Sequence, residues 1–314
     1  MRRLIINAVL LLGTFTVLYL AVFTLLVKVR RGDVPLVHHV SETLPWKGGA
    51  TWRKFQEFDP AQRWDVVVVG SSHAYRGYDP ALFAARGSRM FNLGTSAQAP
   101  SNSIDIIRAY LNAENTGLLI LDVFETPMRN DGVEGVTDLT RNVASDAVAF
   151  RQALSLRDPR AINMLALRWL TRNDPPTYLD DDYIGAGFSR RTDSVPAPIQ
   201  YINPGTFEPD PQQVRALKGI INLCRDRSIP LVLACHPMPH QGDHLAHARF
   251  LELMDEWRGP EGPLFLDFAT GHDLHDMHHF YDHNHLNQAG VERYVPVLLD
   301  SLEALGLLPR GAAR

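Results

Sequence analysis

The fold turns on the stretch Asp65-Val66-Val67-Val68-Val69-Gly70-Ser71-Ser72-His73. Four consecutive valines, closed off by an aspartate and a glycine, have no polar face to turn toward water. That suits a strand covered on both sides, as in a parallel sheet. Working outward, short apolar runs recur at residues 90–93, 118–124, 229–234 and 264–268. Asp79-Pro80 through Gly87 reads as a short helix with a capping aspartate, a first-turn proline and a terminal glycine. Residues 100–114, 211–227, 244–257 and 288–305 carry helical spacing. Strands alternating with helices predict an α/β protein: a three-layer α/β/α, doubly wound fold on a parallel five-stranded sheet. Ligands of such sheets sit beyond the carboxyl ends of the strands.

Composition narrows the function. The chain has 314 residues, 45% hydrophobic and 21% charged, with a formal net charge of -4. This is enough apolar material for a packed core, and there is no basic field to grip nucleic acid. Two cysteines, Cys224 and Cys235, exclude a disulfide scaffold and a four-cysteine zinc site, and leave one bridge between them as an alternative. Residues 4–27 contain no charge; about 24 residues at roughly 1.5 Å each span about 36 Å, enough to cross a hydrocarbon core. A cleaved signal peptide would have a shorter apolar region and a small-x-small site, so an uncleaved anchor is expected. Arg2 and Arg3 precede the span and Lys28, Arg30 and Arg31 follow it, so charge alone leaves its orientation open. The expected organisation is an anchor over 1–31, a stalk over 32–62 and a folded domain over 63–314. That domain is interrupted at about 125–204 by an insertion with one long helix (143 to about 170) and a polar loop through Asp180-Asp181-Asp182. An insertion at a strand's carboxyl end either walls a site or merely packs beside it.

Reactive residue types concentrate at strand ends. Ser71 and Ser72 follow the valine strand on a tight turn, where a serine is held out of the sheet and neighbouring amides can face an oxyanion. His73 and Arg76 lie beside them as pocket candidates. Near the other end, Asp282 and His285 stand three apart in a loop, where a carboxylate can fix an imidazole's tautomer so that its other nitrogen faces a nucleophile. Leu286 would anchor that loop and Asn287 cap the next helix. His272, His275, His278, His279 and His283 crowd the same stretch. Lacking a His-Glu-x-x-His pattern, they are expected to flank the site rather than bind metal. His236, ending the fourth strand, is a candidate pocket wall.

Together, the Gly70-Ser71-Ser72 and Asp282-x-x-His285 blocks resemble those of the SGNH (GDSL-like) hydrolase superfamily, which has a flavodoxin-like fold. The resemblance implies Ser72 as nucleophile, His285 as general base and Asp282 as its orienting carboxylate. It also implies an oxyanion hole from the amides of Ser72 and Gly94, and no metal or cofactor. Two departures stand out. Ser71 replaces the family's aspartate, as in membrane-anchored relatives that modify cell-surface polymers. The family's Gly-x-Asn-Asp block is absent from Leu121-Asp122-Val123-Phe124-Glu125-Thr126, leaving Gln98 or Asn102 as substitutes. The implied function is a membrane-anchored esterase or O-acyltransferase working outside the cytoplasmic membrane. Its substrate would be O-acyl, chiefly O-acetyl, groups of a cell-envelope polysaccharide, and a multi-span membrane O-acyltransferase would be its partner. The alternative is a non-catalytic glycan-binding or scaffold partner of such a transferase.

Overall fold

Val66, Val67, Val68 and Val69 are fully buried, two on each face of the sheet. Each such side chain stabilises the fold by about 1.5–3 kcal/mol relative to exposure. In the computed structural model, the described residues are all except 42–45, 157, 178–179, 199–206, 241–243, 258–261 and 310–314. In chain order, helices α1 (Arg2–Lys28) and α2 (Gly49–Glu57) lead into strand β1 (Trp64–Val69). Next come α3 (Ser72–Gly77), α4 (Pro80–Ala85), β2 (Met90–Asn92), α5 (Pro100–Tyr110) and β3 (Thr116–Asp122). The insertion supplies α6 (Val133–Asn142), α7 (Asp146–Ser155) and α8 (Pro159–Leu170). The chain closes with α9 (Pro211–Asp226), β4 (Leu231–Cys235), α10 (His244–Asp255), β5 (Leu264–Asp267) and α11 (Gln288–Ala304).

The sheet runs β2-β1-β3-β4-β5 with every pairing parallel, the flavodoxin-like order. Val67, Val69, Leu119 and Leu121 pack on one face against α5, α9 and α10; Val66, Val68, Leu118 and Ile120 pack on the other against α4 and α11. The predicted three-layer architecture is therefore the observed one. The order reverses between β2 and β3, on either side of β1, so the carboxyl end of β1 faces the crevice where such folds hold ligands. Helix α1 is long and apolar enough to cross a membrane, and most of its residues are exposed on the protein.

Two sequence expectations are corrected. Residues 32–62 are not a free stalk. Phe55 on α2, and Phe58 after it, join the main core, and Lys54 is fully buried. An isolated nine-residue helix is marginal in water, so packing makes this one. The helix expected over 143 to about 170 is broken in two. Asp158 caps α8 by accepting from the Arg160 N–H at 2.8 Å, and Pro159 occupies its first turn, so α7 ends before them. The end of the expected insertion, 199–204, lies outside the described residues.

Candidate active site

Strand β1 ends at Val69, and Gly70 brings the chain hard against β3: a Cβ there would lie 2.8 Å from the Asp122 Cβ. Ser71 then caps α3, its hydroxyl accepting from the His73 N–H at 3.3 Å. This puts Ser72 at the first helical position, half-buried, where its own N–H has no intrahelical acceptor. The far block arrives from the start of α11. Leu286 is buried, and Asn287 caps that helix through Oδ1, which accepts from the Gly290 N–H at 3.0 Å. The Asn287 amide group donates to the carbonyls of Asp193 and His278. Gly290 permits the close approach, since a Cβ there would overlap the His279 carbonyl.

These two anchored turns bring residues 213 positions apart into contact. The Ser72 Oγ lies 2.7 Å from His285 Nε2, and His285 Nδ1 lies 2.9 Å and 3.0 Å from the two Asp282 oxygens. Asp282 Oδ1 also accepts from the N–H groups of Asn284 (3.0 Å) and His285 (2.8 Å). Burial alone would raise the Asp282 pKa; the His285 hydrogen bond and the two backbone donors outweigh it and hold the pKa at about 2. The carboxylate is thus ionised at neutral pH and selects the tautomer with the proton on Nδ1, leaving Nε2 to accept from the serine.

Behind His285 stands a feature no sequence block announces. His73 stacks on His285 (centroids 4.3 Å apart) and His236 stacks on His73 (4.1 Å), while Phe124 packs edge-on against both His73 and His236. His73 Nε2–H donates to the Asn284 carbonyl at 2.9 Å, gripping the loop that carries Asp282 and His285. Its Nδ1 lies 3.3 Å from the Ser71 hydroxyl. Burial, then the neighbouring His236 and His285, pushes the His73 pKa well below the usual value, so the ring is neutral. His236 Nδ1 sits 2.9 Å from Asp122, which also accepts from Tyr78 Oη at 2.8 Å. At 1% exposed, His236 stands behind the site rather than on its wall. Burial of the His285 ring lowers its pKa, and the opposing pull of Asp282 does not offset that. Catalysis needs neutral imidazole, so the acidic limb of a kcat/KM–pH profile is expected below the ordinary value near 6.5. A limb above 6.5 would contradict this ordering of burial over carboxylate.

Ser72 opens into a cavity of about 330 Å³, also lined by Ser71, His73, Arg76, Phe124 and Tyr281. Arg76 stacks on Tyr75 and Tyr281, each 5.1 Å away, and approaches Asp182 of the insertion at 3.5 Å. Thr126, Pro127, Asn130 and Glu134 also line it, so the insertion borders the site rather than only packing beside it. A polar cleft of about 1050 Å³ shares Tyr75, Arg76, Asn130 and Glu134 with this cavity and continues past Asp138, Asp180 and Arg191.

The expected oxyanion donors are placed differently. The Gly94 N–H donates to Asn92 Oδ1 at 3.0 Å, and its carbonyl accepts from the buried Lys54 ammonium. Gly94 is therefore a packing position, where a Cβ would strike Ala74. Gln98 is tied to Thr95 and Ser103, and Asn102 to Ala99, Gly132 and Gln152; both are buried outside the cavity. Asn130, eight residues past β3, does line it. Its Oδ1 accepts from the Gly132 N–H at 2.8 Å, which leaves its NH2 without a protein acceptor among the described residues. Its distance in sequence from the strand hid it.

The other histidines of the C-terminal stretch do not line the cavity. His272 binds the Met238 carbonyl, and His275 caps the short helix Asp276–His279. Cys224 and Cys235 are free and buried. Among the described residues, the one group with ligand atoms close enough for a metal is Cys235, His247 and Asp267, within 4.8 Å of one another. There the His247 ring bridges two carboxylates, with Nδ1 2.5 Å from Glu125 and Nε2 3.1 Å from Asp267. Burial alone would lower its pKa, but the two hydrogen-bonded carboxylates raise it to about 9. The sign follows: this bridge contributes its full stability below about 6.5 and loses it as pH rises through about 9. His247→Gln is expected to cost on the order of 3 kcal/mol at pH 6, by leaving Glu125 without its cation, and clearly less at pH 10. Urea unfolding at both pH values reads this, and a pH-independent cost would remove the charged bridge.

No family model matches the sequence, and no curated protein matches it. Among solved structures, a protein from Desulfitobacterium hafniense described as lipolytic and of the G-D-S-L family aligns over 77% of this chain and 98% of its own, with 15% identity and a TM-score of 0.39. A Bacteroides fragilis protein described as an acylhydrolase aligns over 89% of this chain and 100% of its own, with 10% identity and a TM-score of 0.39.

Proposed function

We propose that this chain is a membrane-anchored serine esterase or O-acyltransferase acting on O-acyl, chiefly O-acetyl, groups of a cell-envelope polysaccharide. The observation that carries the reading is the relay from Ser72 Oγ through His285 to an ionised Asp282, opening on a cavity. A cavity of about 330 Å³ suits a short acyl group. The polar cleft that continues from it, with aspartates and arginines on its walls, suits a polyhydroxylated chain. Helix α1 supports attachment to a membrane. The resemblance of the serine and Asp-x-x-His blocks supports a reading in which the domain works outside the cytoplasmic membrane, with a multi-span acyltransferase as the partner that supplies or accepts the acyl group.

In the reaction, His285 Nε2 takes the Ser72 proton as Oγ bonds to the ester carbonyl carbon. The Ser72 N–H and the Asn130 amide face the resulting oxyanion. The C–O bond to the sugar breaks, and its oxygen takes the proton from His285. Water, or a sugar hydroxyl in transfer, then gives its proton to His285 and attacks the acyl carbon; the bond from that carbon to Ser72 Oγ breaks, and Oγ takes the proton back from His285. Ionised Asp282 stabilises the imidazolium in both halves.

One observation favours the alternative, a non-catalytic glycan-binding partner: the Gly94 amide is committed to Asn92, so the oxyanion would have few donors. The full chain in detergent, treated with a fluorophosphonate probe and p-nitrophenyl acetate, separates the two readings. An enzyme is labelled at Ser72 and releases nitrophenol. A folded chain that does neither, yet still retains O-acetylated glycan, is the binding partner.

A further inference from the structure

A mainly apolar cavity lies away from Ser72. It encloses about 840 Å³ between the insertion helices and α2, with Phe150, Ile162 and Trp169 among its walls. These three are 53%, 50% and 74% exposed, an unusual concentration of large apolar side chains facing out. Cations line the same cavity. Lys47 donates to the carbonyls of Thr171, Arg172 and Asp174, and Arg168 pairs with Asp146 at 2.7 Å. Arg141 is different. It is only 5% exposed, its Nη1 donates to the Thr171 hydroxyl at 2.7 Å, and among the described residues its Nε has no partner and no carboxylate hydrogen-bonds to it. Burial, then the nearby Arg168, lowers its pKa to about 10. Asp174 acts on it only through space and offsets these effects in part, and a buried guanidinium with no hydrogen-bonded carboxylate is costly. Arg141 is therefore suited to an anionic ligand.

The position of the cavity says what carries that anion. Helix α8, which forms one wall, packs along the end of α1: Phe23 and Val27 meet Met164 and Leu167, and Lys28 Nζ donates to the Leu170 carbonyl at 2.7 Å. With α1 as the anchor, α8 lies at the bilayer surface, and Trp169 is the side chain type that settles at that level.

We propose that this cavity binds an anionic phospholipid of the adjoining leaflet, its phosphate on Arg141 and its acyl chains along Phe150, Ile162 and Trp169. The proposal rests on the anchor reading of α1 and is independent of the esterase chemistry. A bound lipid would fix the height and tilt of the polar cleft above the membrane.

The test uses the full chain reconstituted in vesicles of dibrominated phosphatidylglycerol or dibrominated phosphatidylcholine, with flotation and tryptophan quenching read on the same samples. The phosphatidylglycerol mole fraction for half-maximal quenching is expected to be about fivefold below that for phosphatidylcholine, one cation's worth of selectivity. Trp169→Phe should lose most of the quenching. Arg141→Gln should lose the selectivity and Arg141→Lys keep it; should Arg141→Gln fail to fold, the other two variants still decide. Flotation with equal quenching by both lipids overturns the proposal and leaves the anchor standing. So does loss of the preference on adding inorganic phosphate alone, which would mark a free-phosphate site. Failure to float with either vesicle overturns the anchor reading and this one with it.

Discussion

Ser72→Ala is expected to abolish fluorophosphonate labelling and to lower kcat for p-nitrophenyl acetate by about 10⁶-fold, the scale seen when a relay nucleophile is removed. The size of the effect follows from the geometry. Among the described residues, Ser72 Oγ is the atom that both touches His285 Nε2 and opens to the cavity, and without it the imidazole has nothing to activate except water. Stability should barely move, because Ser72 is half-buried and the α3 cap belongs to Ser71. The variant should therefore melt with the parent, so that lost activity cannot be lost folding. A Ser72→Ala protein that keeps a tenth of the parent rate would assign the nucleophile elsewhere.

Asp282→Asn is expected to cost about 10⁴-fold in kcat while leaving Ser72 in place. The Asn284 and His285 N–H groups that now donate to Asp282 Oδ1 would still find a carbonyl oxygen there, so the loop keeps its shape. What changes is the ring. A carboxamide NH2 set against Nδ1 favours the tautomer with the proton on Nε2, where it blocks acceptance from the serine, and no negative charge remains to stabilise the imidazolium. Labelling of Ser72 should persist at a much reduced rate, separating this variant from Ser72→Ala. Full activity in Asp282→Asn would mean that the His285 tautomer is set by another partner.

The two candidate catalytic blocks were legible because each is local. A valine run ending in Gly70-Ser71-Ser72 specifies a strand end and a turn within nine residues, and Asp282 and His285 meet through a loop only four residues long. The candidate oxyanion donors were not legible. Gly94, Gln98 and Asn102 have suitable donors, but which partner each takes depends on Asn92, Ser103 and Gln152. Asn130 reaches the cavity only because a short helix carries the chain back after β3. Helix α2 is not legible in the sequence because its contacts, Lys54 to Gly94 and Phe55 to Tyr110, span 40 and 55 positions and leave no periodic trace of what they face.

By itself the sequence determined the strands, their parallel alternation with helices, the apolar N-terminal helix and the two turns that carry Ser72 and His285. Each of these is written in residues close together in the chain, where periodicity, caps and glycines act directly on backbone conformation. Only the tertiary structure decided that the three imidazoles of His285, His73 and His236 stack, that the insertion borders the cavity, and that Arg141 is buried with no hydrogen-bonded carboxylate among the described residues. Those outcomes depend on which side chains reach the same volume from distant segments. Competition for hydrogen-bond partners and space is settled only when the layers close.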